Sequence, residues 1–241
     1  MDGDNYELEM IFVPGTKGSS YLFGVPQLQH AVNLKDFFIG KFPVTQAFYK
    51  LVMGAEANRS IVKGNRHPVQ EVSWYDITKP GGFLDTLNAS PIVKSISKQL
   101  PEGKQFAFRL PSETEWEYAA RGGPHWRDAF SHSGGNDVNE VAWYRDNSWD
   151  LMREVGLKAP NQLDIYDMSG NQWEWCQDLF IRDTSQVPKN GTAYERSGTD
   201  RVLRGGCFHN WAIHCTVIKR YEIAPDSHDG CISFRLVLSE I

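Results

Sequence analysis

The residues best suited to chemistry cluster in Tyr166-Asp167-Met168-Ser169-Gly170-Asn171-Gln172-Trp173-Glu174-Trp175. A Ser-Gly-Asn turn separates an aspartate from an alternating Trp-Glu-Trp strand. Strand alternation puts Trp173 and Trp175 on one face and Glu174 on the other. An ionised carboxylate opposite a buried aromatic pair needs a cation, and the turn can bring Asp167 beside it. A half-buried strand whose Glu174 faces water satisfies the same pattern.

The second reactive group is thiol. Cys176, Cys207, Cys215 and Cys231 include no C-x-x-C pair, so zinc is poorly supported even with His209 and His214 nearby. Buried free thiols are the preferred reading and a Cys215–Cys231 disulfide the alternative.

The elements that must position these groups are short. Leu8–Val13, Tyr21–Phe23 and Ala31–Phe38 read as strands broken by Pro or Gly. Thr45–Gly54 has a threonine cap, an apolar i, i+3, i+4 stripe and a closing glycine, which predicts a helix. Val72–Asp76 reads as a strand leading into a helical stretch, Ile77–Asn88. Phe106–Pro111 is a strand, and Ser112-Glu113-Thr114-Glu115 a capping box that opens a helix through Ala120. Arg109, Glu113, Glu115 and Arg121 are assigned to the scaffold, with Glu113 contributing about 0.5–2 kcal/mol as a capping residue. Residues 124–160 and 181–199 are polar loops, and long loops in a compact domain carry function or are pinned by side chains. Val202–Phe208 and Phe234–Leu238 are strands, and the segment between them is expected to be irregular.

At 241 residues and 41% hydrophobic content the chain suits one domain, 1–241, with an ample core. A net charge of −5 argues against nucleic acid as partner. No apolar run reaches membrane-spanning length. The acidic start Met1-Asp2-Gly3-Asp4 shows no signal peptide; a removed leader would place the chain at the cell surface or outside it.

Taken in order, five motifs resemble the formylglycine-generating-enzyme (sulfatase-modifying factor) family. They are Phe38-Ile39-Gly40-Lys41-Phe42-Pro43-Val44-Thr45; His67-Pro68-Val69 with Val72-Ser73-Trp74-Tyr75-Asp76; Arg109-Leu110-Pro111-Ser112-Glu113-Thr114-Glu115-Trp116-Glu117-Tyr118-Ala119-Ala120-Arg121-Gly122-Gly123; Asn161 to Trp175; and Arg201–Gly206 with the closing Phe234-Arg235. The resemblance implies an α+β, C-type-lectin-like fold: loop-rich, with a small antiparallel sheet and two main helices. It also implies a structural Ca²⁺ held by the side chains of Asp167 and Glu174 and the carbonyls of Gly170 and Gln172, hard oxygen donors suited to that ion.

The family's enzymes use two cysteines five residues apart to hold copper and oxidise a substrate cysteine. The matching positions here are Asn210 and Cys215, so one soft thiolate is missing and Cys215 alone is a weak catalytic candidate. Gly205-Gly206-Cys207-Phe208 replaces the family's Gly-Gly-Ser-Trp, Cys215-Thr216 its Cys-Arg, and Ser233-Phe234-Arg235 its Gly-Phe-Arg. A scaffold that keeps its pattern while 207–233 departs from it resembles the variable proteins of diversity-generating retroelements.

That resemblance implies a non-catalytic binding protein displaying residues 208–231 to a protein or other macromolecule. Its contact residues would be Phe208, His209, Asn210, Trp211, Ile213, His214, Thr216, Ile218, Tyr221, Ile223, His228 and Asp229. The alternative is a copper-dependent oxidase of a protein cysteine, and copper is implied only there.

Overall fold

The computed structural model describes residues 8–25, 27–93 and 104–240; the acidic start at residues 1–4 lies outside them. Two four-stranded sheets and one hairpin make the framework. In the first sheet β1 (Met10–Val13), β4 (Phe37–Gly40), β10 (Val237–Glu240) and β5 (Phe106–Arg109) lie in that order, all antiparallel. The second runs β8 (Arg220–Ile223), β7 (Arg201–Arg204), β6 (Trp173–Leu179), β9 (Ile232–Phe234). Its β6–β9 pair is parallel, so this sheet is mixed rather than purely antiparallel. β2 (Tyr21–Phe23) and β3 (His30–Val32) form the hairpin.

The helices follow from their caps. Thr45 accepts the Phe48 N–H and Gly54 closes α1 (Gln46–Met53) at φ 86°, as the sequence predicts. Ser112 accepts the Glu115 N–H while Glu115 accepts that of Ser112, the expected capping box of α4 (Glu113–Ala120). The strand expected over Val72–Asp76 is instead the start of α2 (Trp74–Thr78). Ser73 and Asp76 form a second capping box there, and the reciprocal bonds outweigh the β-propensity of the Val-Ser-Trp-Tyr run. Past the Pro-Gly-Gly break, α3 (Phe83–Ala89) supplies only the later part of the helix expected over Ile77–Asn88. Residues 124–160 add just α5 (Val138–Val141) and a 3₁₀ turn at Gly123–Asp128.

Near the C-terminus the expected Phe234–Leu238 strand divides. β9 ends at Phe234 in one sheet and β10 begins at Val237 in the other, so Arg235 and Leu236 pass between the two. β8 is also a correction, because residues 220–223 of the supposedly irregular segment are paired with β7.

β6 is the central element. Trp173 and Trp175 enter one hydrophobic core with Phe83, Phe108 and Phe234, while Cys176 enters the other with Trp116, Met168 and Val202. The predicted alternation holds, yet both faces are buried, and Glu174 is 0% exposed.

A charge network joins α4 to this sheet. Arg204, fully buried, bonds Glu113 at 2.9 Å and Glu117 at 2.7 Å. Arg220 takes both Glu113 oxygens, Arg121 and the Tyr21 hydroxyl reach Glu117, and Arg109 holds Glu115 in a fork at 2.7 Å. Burial alone would raise the Glu117 carboxyl, but Arg204 and Arg121 hold it below the usual range. Glu113 is thus an ion-pair centre, and Glu115 does the capping.

Removing one member of a buried pair strands the other charge, so Glu113→Ala is expected to cost about 3–5 kcal/mol. Ser112→Ala removes only a cap and should cost about 1 kcal/mol. Urea midpoints at unchanged slope measure both.

Candidate functional site

The cation that Glu174 requires is Arg235. The guanidinium donates to both carboxylate oxygens, at 2.7 and 2.9 Å, and the Trp116 indole N–H adds a third bond at 2.7 Å. Its remaining donors reach the carbonyls of Gly40 at 2.7 Å and Tyr166 at 2.8 Å. Asp167 does lie within electrostatic reach of Glu174, but its Oδ2 accepts the Gly156 N–H at 2.8 Å. The Gly170 carbonyl accepts the Gln172 N–H. Ca²⁺ needs six to eight open oxygen donors. With Glu174 saturated and Asp167 and Gly170 engaged, the set implied by Asp167, Gly170, Gln172 and Glu174 does not fit that ion. Among the described residues no group of three His, Cys, Asp or Glu could hold a metal.

The Ser169-Gly170-Asn171 turn pins backbone instead. Gly170 lies at φ 76°, and a Cβ there would collide with the Trp143 backbone. Its N–H donates to the Gly205 carbonyl at 2.8 Å, and Asn171 both donates to the Trp143 carbonyl and accepts from Phe208. The Asn171 amide also clasps both backbone groups of Arg153. One turn therefore docks the 143–153 loop and the 205–208 turn against β6.

Beside that turn, residues 207–214, β8 with Lys219, and residues 229–232 line an open cavity of about 400 Å³. Trp173 forms part of its wall and stacks on Tyr221, with ring centroids 5.6 Å apart. His209, Asn210, His214, Tyr221, Ile223 and Asp229, all expected at the site, line it. Trp211 and Ile213 are exposed outside its lining, Trp211 with the Arg145 guanidinium over its ring at 4.1 Å. Thr216 is half-buried.

Four expected residues serve the scaffold. Phe208 is buried in the core that holds Trp173, with Ile223 packed against that core's edge, and Ile218 packs against the other core. His228 is held by Asp76 at 2.7 Å.

Sequence reasoning missed the 145–151 loop. Arg145 donates its N–H to the Asn210 carbonyl, Ser148 its hydroxyl to that of Phe208, and Asp150 pairs with His209. Trp149 and Asp150 both adopt left-handed backbone, φ 59° and 60°, and Trp149 is left 83% exposed. Consecutive left-handed residues persist only where neighbours over-determine them, as these anchors do. A tryptophan inside an Asn-, Asp- and Ser-rich loop was the available signal.

All four thiols are free and three of them are buried, as the preferred reading of the sequence expected. Cys231 shares the lining of the cavity with Cys207, where the two thiols perturb each other, and Cys215 lies outside that lining. Cys215 is fully buried, its Sγ near the carbonyls of Cys207 and Trp211, and burial pushes its pKa up to about 12. The Asn210 carboxamide accepts the Cys207 N–H at 3.0 Å, closing a local turn.

A family model described as the sulfatase-modifying factor enzyme 1-like domain matches residues 4–240. The chaperone protein LppX of Paenibacillus barcinonensis is 36% identical over 210 residues, 73% of this chain and 70% of that protein. The formylglycine-generating enzyme of Streptomyces coelicolor is 30% identical over 205 residues, 75% of this chain and only 55% of the enzyme. Among solved structures, Treponema denticola variable protein 1 superposes with a TM-score of 0.76 at 28% identity, covering 95% of this chain and 94% of that one.

The Asp76–His228 contact sets an acid limb. Partial burial works against the Asp76 charge, but bonds from His228, Ser73 and Lys79 prevail and hold its pKa at about 2. A depressed carboxylate contributes stability above its unfolded pKa of about 3.9 and loses it as pH falls towards the folded value. Asp76→Asn should therefore flatten the stability–pH curve between about pH 4 and pH 2, measured by thermal melts across that range.

Proposed function

The chain belongs to the sulfatase-modifying factor enzyme 1-like domain family, with its α+β, C-type-lectin-like fold, and on that premise we propose that it is a non-catalytic binding protein. Its partner is a protein or other macromolecule, received on the face formed by residues 209–221, Asp229 and the 145–151 loop. The observation that carries this reading is the set of exposed large side chains on segments tied together around the cavity: Trp149, Trp211, Ile213 and Tyr221, each at least half exposed. Monomeric surfaces rarely gather such groups without use, and Trp and Tyr dominate interface energies when a partner covers them.

The physical division of labour supports it. Rigid aromatics give contact area at low entropy cost, and His209, His214, Asn210 and Asp229 offer adaptable polar partners around them. The likeness to a variable protein of Treponema denticola, which extends over nearly the whole of both chains, supports the same reading. Against the oxidase alternative stand Asn210, whose side chain is spent on a backbone bond, and Cys215, whose buried thiol stays protonated at neutral pH.

The test pairs a triple variant, Trp149→Ser, Trp211→Ser and Tyr221→Ser, with the wild type on an array of purified surface proteins. The expected outcome is at least one wild-type binder weakened tenfold or more by the triple change, with Tm moved by only a few degrees. Incubation with Cu(I), O₂ and a cysteine-containing peptide should yield no aldehyde at that cysteine. Conversion of that cysteine to an aldehyde would establish the oxidase instead.

A further inference from the structure

The two thiols in the cavity have no task in the binding face. Cys207 follows β7 through the Gly205-Gly206 turn, and Cys231 immediately precedes β9. β7 and β9 flank β6 on opposite sides, with Glu174 opposite Arg204 in one ladder and Trp173 opposite Ile232 in the other. The sheet therefore delivers both cysteines to the lining of the same cavity, where each thiol feels the other. Cys207 is almost wholly enclosed by protein, while Cys231 is half-buried.

Their surroundings differ in a useful sense. The hydrogen bond from Cys231 and the backbone N–H groups of His209 and Asn210 outweigh burial and hold the Cys207 thiol below the usual range. Cys231 keeps its proton, pushed well up by that same contact and by burial. One sulfur is poised to attack, and the other to resolve. Cys176 and Cys215 are fully buried with raised thiols, and neither has such a partner.

We propose that Cys207 and Cys231 form a reversible disulfide that closes residues 208–230 into a loop and fixes the shape of the cavity. The oxidant is a small-molecule disulfide such as oxidised glutathione. The Cys207 thiolate attacks one of its sulfurs, forming a mixed disulfide and expelling one thiolate. Cys231 gives up its proton, attacks the Cys207 sulfur and expels the second. Two protein thiols are oxidised, one external disulfide is reduced to two thiols, and excess dithiol reverses the exchange. The link clamps the ends of β7 and β9, so the segment between them loses freedom in the unfolded chain and in the unbound face alike. It holds whether or not that face receives a macromolecule.

The experiment treats the reduced full chain with oxidised glutathione, then denatures and alkylates it. Two alkylated thiols are expected where the reduced chain shows four, with a peptide map joining Cys207 to Cys231 and a Tm raised by about 5–10 °C. C215S should form the same link and show one alkylated thiol where its reduced chain shows three. C231S should stop at the mixed disulfide and carry one glutathione on Cys207, which keeps the proposal testable should C207S fail to fold. Four alkylated thiols after oxidation, a link that maps to Cys215, or a C231S chain that takes no glutathione overturns it.

Discussion

The buried pair between Glu174 and Arg235 is the constraint on which the remainder depends. Both side chains are fully enclosed, where an isolated charge is costly by several kcal/mol. That cost is offset only because every strong donor and acceptor finds a partner: two guanidinium–carboxylate bonds, the Trp116 indole, and the carbonyls of Gly40 and Tyr166. Such completeness fixes geometry. β6 is placed against α4, against the end of β4, and against the crossing point where the chain leaves β9 for β10. The two sheets share no strand, so this pair does much of the work of joining them.

A second polar knot repeats the principle beside it. Arg204 and Arg220 project from β7 and β8 onto Glu113 and Glu117 of α4. The helix is buried along nearly its whole surface and carries three acidic residues, which is tolerable only because arginines meet them. The proposed binding face lies at the far edge of this framework. Its side chains hang from β8, from the 207–214 turn and from the 145–151 loop, all pinned through backbone bonds to the Ser-Gly-Asn turn or to one another. Substituting an exposed side chain there touches none of the buried charges, so the face is free to change while the framework stands.

The family's enzymes and this chain differ where one would look for reaction chemistry. Position 210 carries an amide that secures a turn, and position 215 a thiol enclosed by protein. The two thiols that share the cavity stand at positions 207 and 231, beside different strands instead of within one loop. A dithiol across two strands restrains shape, whereas a thiolate pair on a single loop can gather a soft metal and a substrate.

The sequence by itself determined what depends on neighbours within about four residues: the capped ends of α1 and α4, the alternation of Trp173, Glu174 and Trp175, and the polar loops. Its ordered motifs also fixed the family, and with it the fold class. Where two local preferences competed, as at Val72–Asp76, the β-like composition misled and the capping box prevailed. The partner of Glu174 was beyond local reach, because Arg235 stands 61 residues away and is brought in only by the parallel pairing of β6 with β9. The same holds for Glu113 with Arg204, for Trp149 joining the face through Asp150 and His209, and for Cys207 meeting Cys231. Charges and thiols pair through space, and tertiary structure alone decides which distant segments share it.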